Sequence, residues 1–169
     1  MIRRFALASA IFIAVGSAAP AMAGTATSNL TVSSSVPNNC TISTASIDFG
    51  NYDPVDANTS TSATATGTVT VTCTSGASAN IKLSQGSNAD PDSTDPIPMR
   101  RLANGSNYLS YGLYQDSNLT TLWGNTAGTG ASHTGTGSAS NVTVYGVISP
   151  GQNVPAGSYA DTVVAEVSF

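Results

Sequence analysis

Charge is what these 169 residues lack most. Only 8% are Asp, Glu, Lys or Arg, against about a quarter in typical soluble domains. There is one lysine, Lys82, and one histidine, His133. Such a chain has no basic footprint for the phosphates of nucleic acid or for an anionic membrane surface. Cysteine is nearly absent too. Cys40 and Cys73 with one distant histidine do not make a zinc ligand set. Long apolar runs are missing after the first residues, so direct membrane insertion is not expected. No segment shows a convincing apolar helix period, and no internal repeat of fixed length is present. The polar composition, rich in Ser, Thr and Asn, would suit a disordered chain. Alternating apolar runs argue instead for a folded β domain.

The start reads as an export signal. Arg3 and Arg4 give it a positive end, and Phe5 to Val15 is an apolar run too short for a membrane anchor. Ala21-Met22-Ala23 is a small-x-small cleavage site. Cleavage after Ala23 removes two of the five cations and no acid. Three cations then face nine carboxylates, a formal charge of −6. Export also bears on the cysteines, because an exported pair most often forms a disulfide. Cys40–Cys73 is expected to be one.

What is present alternates. In "TVTVTC", Val69, Val71 and Cys73 share a side; "NIKLS" places Ile81 with Leu83. In "YLSYGLYQD", Leu109, Tyr111 and Leu113 alternate with Tyr108, Gly112 and Tyr114. "NVTVYGVIS" puts Val142, Val144 and Ile148 together. "YADTVVAEVSF" aligns Tyr159, Val163, Ala165, Val167 and Phe169. Period two marks strands with one dry face. Pro and Gly cluster between the runs, in "DPDSTDPIP", "GNTAGTGASHTGTG" and "SPGQNVPAG". Several short strands with such turns imply a β-sandwich or barrel. The stretches "DPVDANTSTSATATG" and "GNTAGTGASHTGTGSAS" read as surface loops.

One further alternating run precedes the first cysteine. In "TATSNLTVSSSVPNNC", Ala26, Ser28, Leu30, Val32, Ser34 and Val36 lie on one side and polar residues on the other. Pattern alone favours the first strand of a self-contained sheet, since most strands pair within their own chain.

Reactive constellations are absent from the pattern. Asp90, Asp92 and Asp95 invite a calcium reading. The sixth and twelfth positions of that loop, however, hold Asp95 and Arg101 rather than Gly and Glu. An Asp/Pro turn is expected there. His133 lies in a Gly/Ser/Thr stretch without a G-x-S-x-G elbow and reads as a solvent-exposed loop residue. Gly128, Gly130 and Gly135 fit no phosphate-binding loop. Asp48, Asp53, Asp56, Asp116, Asp161 and Glu166 show no spacing that favours a glycosidase pair, so solvated or turn-forming roles are expected. Trp123 suits a core or strand-end position better than a sugar platform. Six N-x-[ST] matches are expected by chance in a chain so rich in Asn, Ser and Thr. The expectation is a non-enzyme without metal or cofactor.

The stretches "NNCTISTASIDFGNYDP", "GTVTVTCT", "RRLANGSNYLSYGLYQD", "LWG" and "VYGVISPGQNVPAGSYADTVVAEVSF" resemble the spore coat protein U domain. That family includes pilin subunits of archaic chaperone–usher pili of Gram-negative bacteria. The likeness covers nearly all of the chain after the signal. Its most specific parts are Y-x-x-Y-x-L-Y-x-D and G-Q-x-V-P-A-G-x-Y-x-D-T.

The resemblance implies an all-β fold, an incomplete immunoglobulin-like β-sandwich with a free N-terminal donor strand. It divides the chain into residues 1–23 (signal peptide), 24–37 (donor strand) and 38–169 (pilin-like sandwich). Such a subunit polymerises by donor-strand complementation, a form of strand addition. The donor face, Ala26, Ser28, Leu30, Val32, Ser34 and Val36, would then enter a neighbour. Val163, Ala165, Val167 and Phe169 would line the acceptor groove. The implied partners are other copies or related pilins, a periplasmic chaperone and an outer-membrane usher. The implied location is a cell-surface fibre reached through the periplasm and serving attachment and biofilm formation. A spore or cyst coat protein and a surface-binding adhesin module remain as alternatives.

Overall fold

The structure, a computed structural model, describes residues 22–169. The export signal expected over residues 1–23 therefore lies outside the described residues except for its last two. Among the described residues there are eight strands and no helix. They are β1 (Cys40–Ala45), β2 (Ala63–Cys73), β3 (Ser78–Leu83), β4 (Arg100–Asn104), β5 (Asn107–Tyr114), β6 (Ala131–Thr134), β7 (Ala139–Ile148) and β8 (Ala165–Ser168). The chain divides between Ser35 and Val36 into two units. In the first, the described residues form neither helix nor strand, and each is exposed.

The second unit holds two sheets, ordered β1-β2-β7-β5-β4 and β6-β3-β8. All strand pairs are antiparallel. Alternation decides the faces, because successive side chains of a strand point to opposite sides. Val69, Val71 and Cys73 of β2 are buried, while Thr64 and Thr66 are exposed. Leu109 and Leu113 of β5, Val144 and Ile148 of β7, and Ile81 and Leu83 of β3 are buried likewise. Val69, Val71, Ile81, Leu83, Leu113 and Val144 meet in one core cluster around Trp123, which is fully buried. Its indole N–H donates to the Ile81 carbonyl at 2.8 Å, which removes the penalty of hiding a polar group.

The β4–β5 turn shows why a glycine stands in "ANGSN". Asn104 pairs with Asn107, leaving a two-residue loop with Gly105 at φ 59°. Two-residue hairpins need a positive φ at the first central position, which glycine adopts without a Cβ clash.

Cys40 and Cys73 are paired neighbours of β1 and β2 and form a disulfide across 33 residues. Closing a loop of that length contributes about 3–4 kcal/mol through the lost entropy of the unfolded chain. The double substitution Cys40→Ala and Cys73→Ala is expected to lower the urea midpoint by the corresponding amount. Unchanged stability would refute the contribution.

Two segments depart from the sequence reading. His133 belongs to β6, opposite Ala79 of β3, and is half-buried rather than a solvent-exposed loop residue. Its neighbours are glycine-rich, but Ala131 and His133 alternate inward over four residues. In addition, "ATATG" is no loop: it begins β2.

Candidate functional site

β1 and β8 are edge strands of different sheets, and they face one another across one flank of the sandwich. At one end this flank is closed. Val167 packs there against Cys40, Cys73, Ala77 and Ala79. Toward the other end it opens into a cleft of about 280 Å³. Val69, Leu83, Leu113 and Val144 form its floor, and all four belong to the buried core. The core is thus reachable through a gap between two strand edges. An unpaired edge carries free N–H and C=O groups and is a template for another strand.

One wall is the chain that follows β1, with Ile47 and Phe49. Their seats are missing side chains. A Cβ on Gly67 would stand 2.5 Å from Ile47, and one on Gly146 would stand 2.7 Å from Phe49. This accounts for Gly146 in "NVTVYGVIS", where alternation alone calls for a third bulky residue on the inner face. Phe49 also meets the Tyr111 ring edge-on, with centroids 6.2 Å apart.

The opposite wall is the C-terminal segment. Val163 and Ala165 line the cleft. Val163, Ala165 and Val167 are half-buried against the core. Phe169 is 54% exposed. Only Ala165–Ser168 is a strand, because β3 ends at Leu83 and a turn follows. Ser84 and Ser87 then donate to the Val164 and Thr162 carbonyls instead of continuing the ladder.

Asp161 holds this corner. One carboxylate oxygen accepts from the Ser87 and Asn88 backbone N–H groups and from the Asn88 amide. The other accepts from the Tyr111 hydroxyl at 2.7 Å. Burial, and then the bond to this carboxylate, raise the Tyr111 pKa above its ordinary value. The phenol therefore stays protonated. Tyr111 comes from Y-x-x-Y-x-L-Y-x-D and Asp161 from the final D-T, so the two most specific stretches of the sequence meet in a single hydrogen bond. Gln152, also from the second stretch, bonds the Ser110 N–H and C=O with its side-chain amide.

The family profile described as the Spore Coat Protein U domain matches residues 26–166. The chain belongs to that family. Protein U of Myxococcus xanthus is 43% identical over 158 residues, which covers 89% of this chain and 88% of the relative. Among solved structures, a chain of the CsuC–CsuE chaperone–tip adhesion subunit pre-assembly complex is similar, with a TM-score of 0.54 and 18% identity. That complex belongs to archaic chaperone–usher Csu pili of Acinetobacter baumannii. The match covers 79% of this chain and 40% of that one, and it shows a shared fold.

The residues expected to donate, Ala26, Ser28, Leu30, Val32, Ser34 and Val36, are all exposed and pair with no strand among the described residues. Leu30, Val32 and Val36 are 88%, 87% and 81% exposed.

Sequence reasoning missed Arg100. It is 1% exposed and stands opposite Tyr111 in the β4–β5 register. Its guanidinium donates to the carbonyls of Leu83, Ser84 and Trp123 at 2.8–2.9 Å. Burial lowers its pKa to about 10, opposed by nearby Tyr111 and Asp161. It remains charged at neutral pH and ties the end of β3, the Trp123 loop and β4 together beneath the cleft. The signal was slight: Arg100 lies two residues from Leu102 and so shares its side of β4. The usual placement of arginine at the surface conceals it.

Proposed function

We propose that this protein is a structural subunit of an extracellular fibre, polymerising by donor-strand complementation. The observation that carries the reading is the cleft. It exposes core residues between two unpaired strand edges, in a chain whose N-terminal stretch presents Leu30, Val32 and Val36 to solvent. An extended segment from one copy enters the cleft of the next. Backbone hydrogen bonds supply affinity, and alternate side chains supply specificity. Full burial of the three apolar side chains contributes roughly 5–8 kcal/mol before ordering costs.

Family membership and the fold shared with a chain of a chaperone–subunit complex support two further partners. A periplasmic chaperone occupies the cleft before assembly, and an outer-membrane usher passes subunits outward. The product is a surface fibre of a Gram-negative bacterium, suited to attachment and biofilm formation. The 43% identity to Protein U, in a family described by a spore coat, favours a coat layer as a second reading, built through the same contact.

Co-expression of the full chain with a periplasmic chaperone of this class tests the proposal. The expected result is a soluble chaperone complex that, once the chaperone is removed, yields a ladder of polymers on an unboiled denaturing gel. A stable monomer in the absence of chaperone, with no ladder, would overturn it.

A further inference from the structure

The cleft is apolar along its floor but polar at its open end, where Tyr111, Asp161 and Thr162 line it. The Tyr111 hydroxyl spends its one proton on Asp161, which leaves the tyrosine oxygen as an acceptor. The donor face carries a matching irregularity: Ser34 interrupts the series Leu30, Val32, Val36. Resting on the donor-strand reading, we propose that the Tyr111–Asp161 pair sets the register of the incoming strand. It does so by receiving the hydroxyl of Ser34 from another copy.

A register device is needed. Sliding the strand by one residue would turn its polar face inward, so the alternation itself forbids that slip. Sliding by two keeps the apolar face inward and replaces Leu30 by Val32 over the floor, at little cost. Such a slip moves Val32 or Val36 onto the polar corner, where an apolar side chain leaves the tyrosine oxygen without a partner. Only the register that presents a serine there satisfies it.

Direction selects Ser34 over Ser28. β8 runs from Ala165 in the cleft toward Val167 at the disulfide end. A strand added antiparallel to β8, the more stable pairing, runs the opposite way and ends toward Asp161. Leu30 and Val32 then cover the floor, and Ser34, about 7 Å beyond Val32 at strand rise, reaches the corner. A parallel strand would bring Ser28 there.

Two measurements on polymers of the full chain test this. Polymers are prepared from the wild type, Ser34→Ala, Tyr111→Phe and the double variant, and their dissociation in denaturant is timed. Loss of one such hydrogen bond is expected to speed dissociation about tenfold in either single variant, with no further acceleration in the double variant. Independent, multiplying effects would overturn the inference. The second measurement does not depend on altering Tyr111. Ser34→Cys combined with Thr162→Cys is expected to give oxidised, intermolecular covalent ladders, whereas Ser28→Cys with Thr162→Cys is not. The reverse pattern would overturn the assignment. If polymers form normally when Leu30 and Val32 are both charged, the donor-strand reading itself fails. If that pair blocks polymer while Ser34 and Tyr111 act independently, only the register inference fails.

Discussion

Replacing both Leu30 and Val32 by aspartate is expected to abolish heat-resistant polymer while leaving the sandwich folded and bound to its chaperone. The folded state tolerates the change because the two side chains are 88% and 87% exposed. A carboxylate placed there stays in water. Assembly does not tolerate it. Each apolar side chain contributes about 1.5–3 kcal/mol when buried in the neighbour. An unpaired carboxylate in its place costs several kcal/mol, and the cleft floor of Val69, Leu83, Leu113 and Val144 offers it no partner. The one charged group in the cleft lining is Asp161, of the same sign. The swing per position exceeds the gain from either side chain, and two positions together remove the drive for donation. On the proposed reading the variant's own cleft is unaltered and is expected still to accept a chaperone strand. Chaperone co-purification and a gel assay for polymer read both halves. Normal polymer from the double variant would sink the donor assignment. So would loss of the chaperone complex through misfolding, which would mean that the two side chains belong to the protein's own core.

The inner faces of β2, β3, β5 and β7 were legible because each carries at least two large apolar residues at period two, and a sheet with one wet face demands that pattern. Trp123 was expected in the core or at a strand end on other grounds, because one aromatic with a polar edge suits a sandwich, and it is fully buried. The disulfide followed from export and from the want of other metal ligands. The family resemblance implied a groove beside the C-terminal strand, but its opposite wall was not legible, because it is built by what the sequence omits. Gly67 and Gly146 leave seats for Ile47 and Phe49, and no periodicity announces a residue that packs from an irregular segment. β6 was hidden by composition: a four-residue strand with Ala131 and His133 inward looks like the glycine-rich loop around it. Asp161 was one of several carboxylates without distinguishing spacing. Its role depends on Tyr111, fifty residues earlier, and on a turn at Ser87 and Asn88 that only folding brings near.

Substituting Arg100 by methionine is expected to destabilise the domain far more than the same change at Arg101, although the two are adjacent. Arg100 is buried, forms no ion pair among the described residues, and satisfies three carbonyls. Methionine matches much of its volume but donates nothing. Each buried carbonyl left without its donor costs about 1–3 kcal/mol. Three of them give about 3–9 kcal/mol, and because a carbonyl keeps a second lone pair for other partners the sum falls toward the lower part, about 3–5 kcal/mol. A typical domain has about 5–15 kcal/mol in total. Arg101 points the other way, pairing with Asp90 at 3.1 Å and stacking over Tyr108 at 4.1 Å. Partly exposed contacts of that kind are worth about 1 kcal/mol. Lysine at position 100 should recover only part of the loss, since a single ammonium lacks the planar fork that reaches three acceptors at once. The comparison is best made on chains that also carry Leu30→Asp and Val32→Asp, so that polymerisation does not mask unfolding. The urea midpoint is the readout, and the expected order of stability is parent, Arg101→Met, Arg100→Lys, Arg100→Met. If Arg100→Met were no worse than Arg101→Met, the buried guanidinium would not be what ties β3, β4 and the Trp123 loop together beneath the cleft.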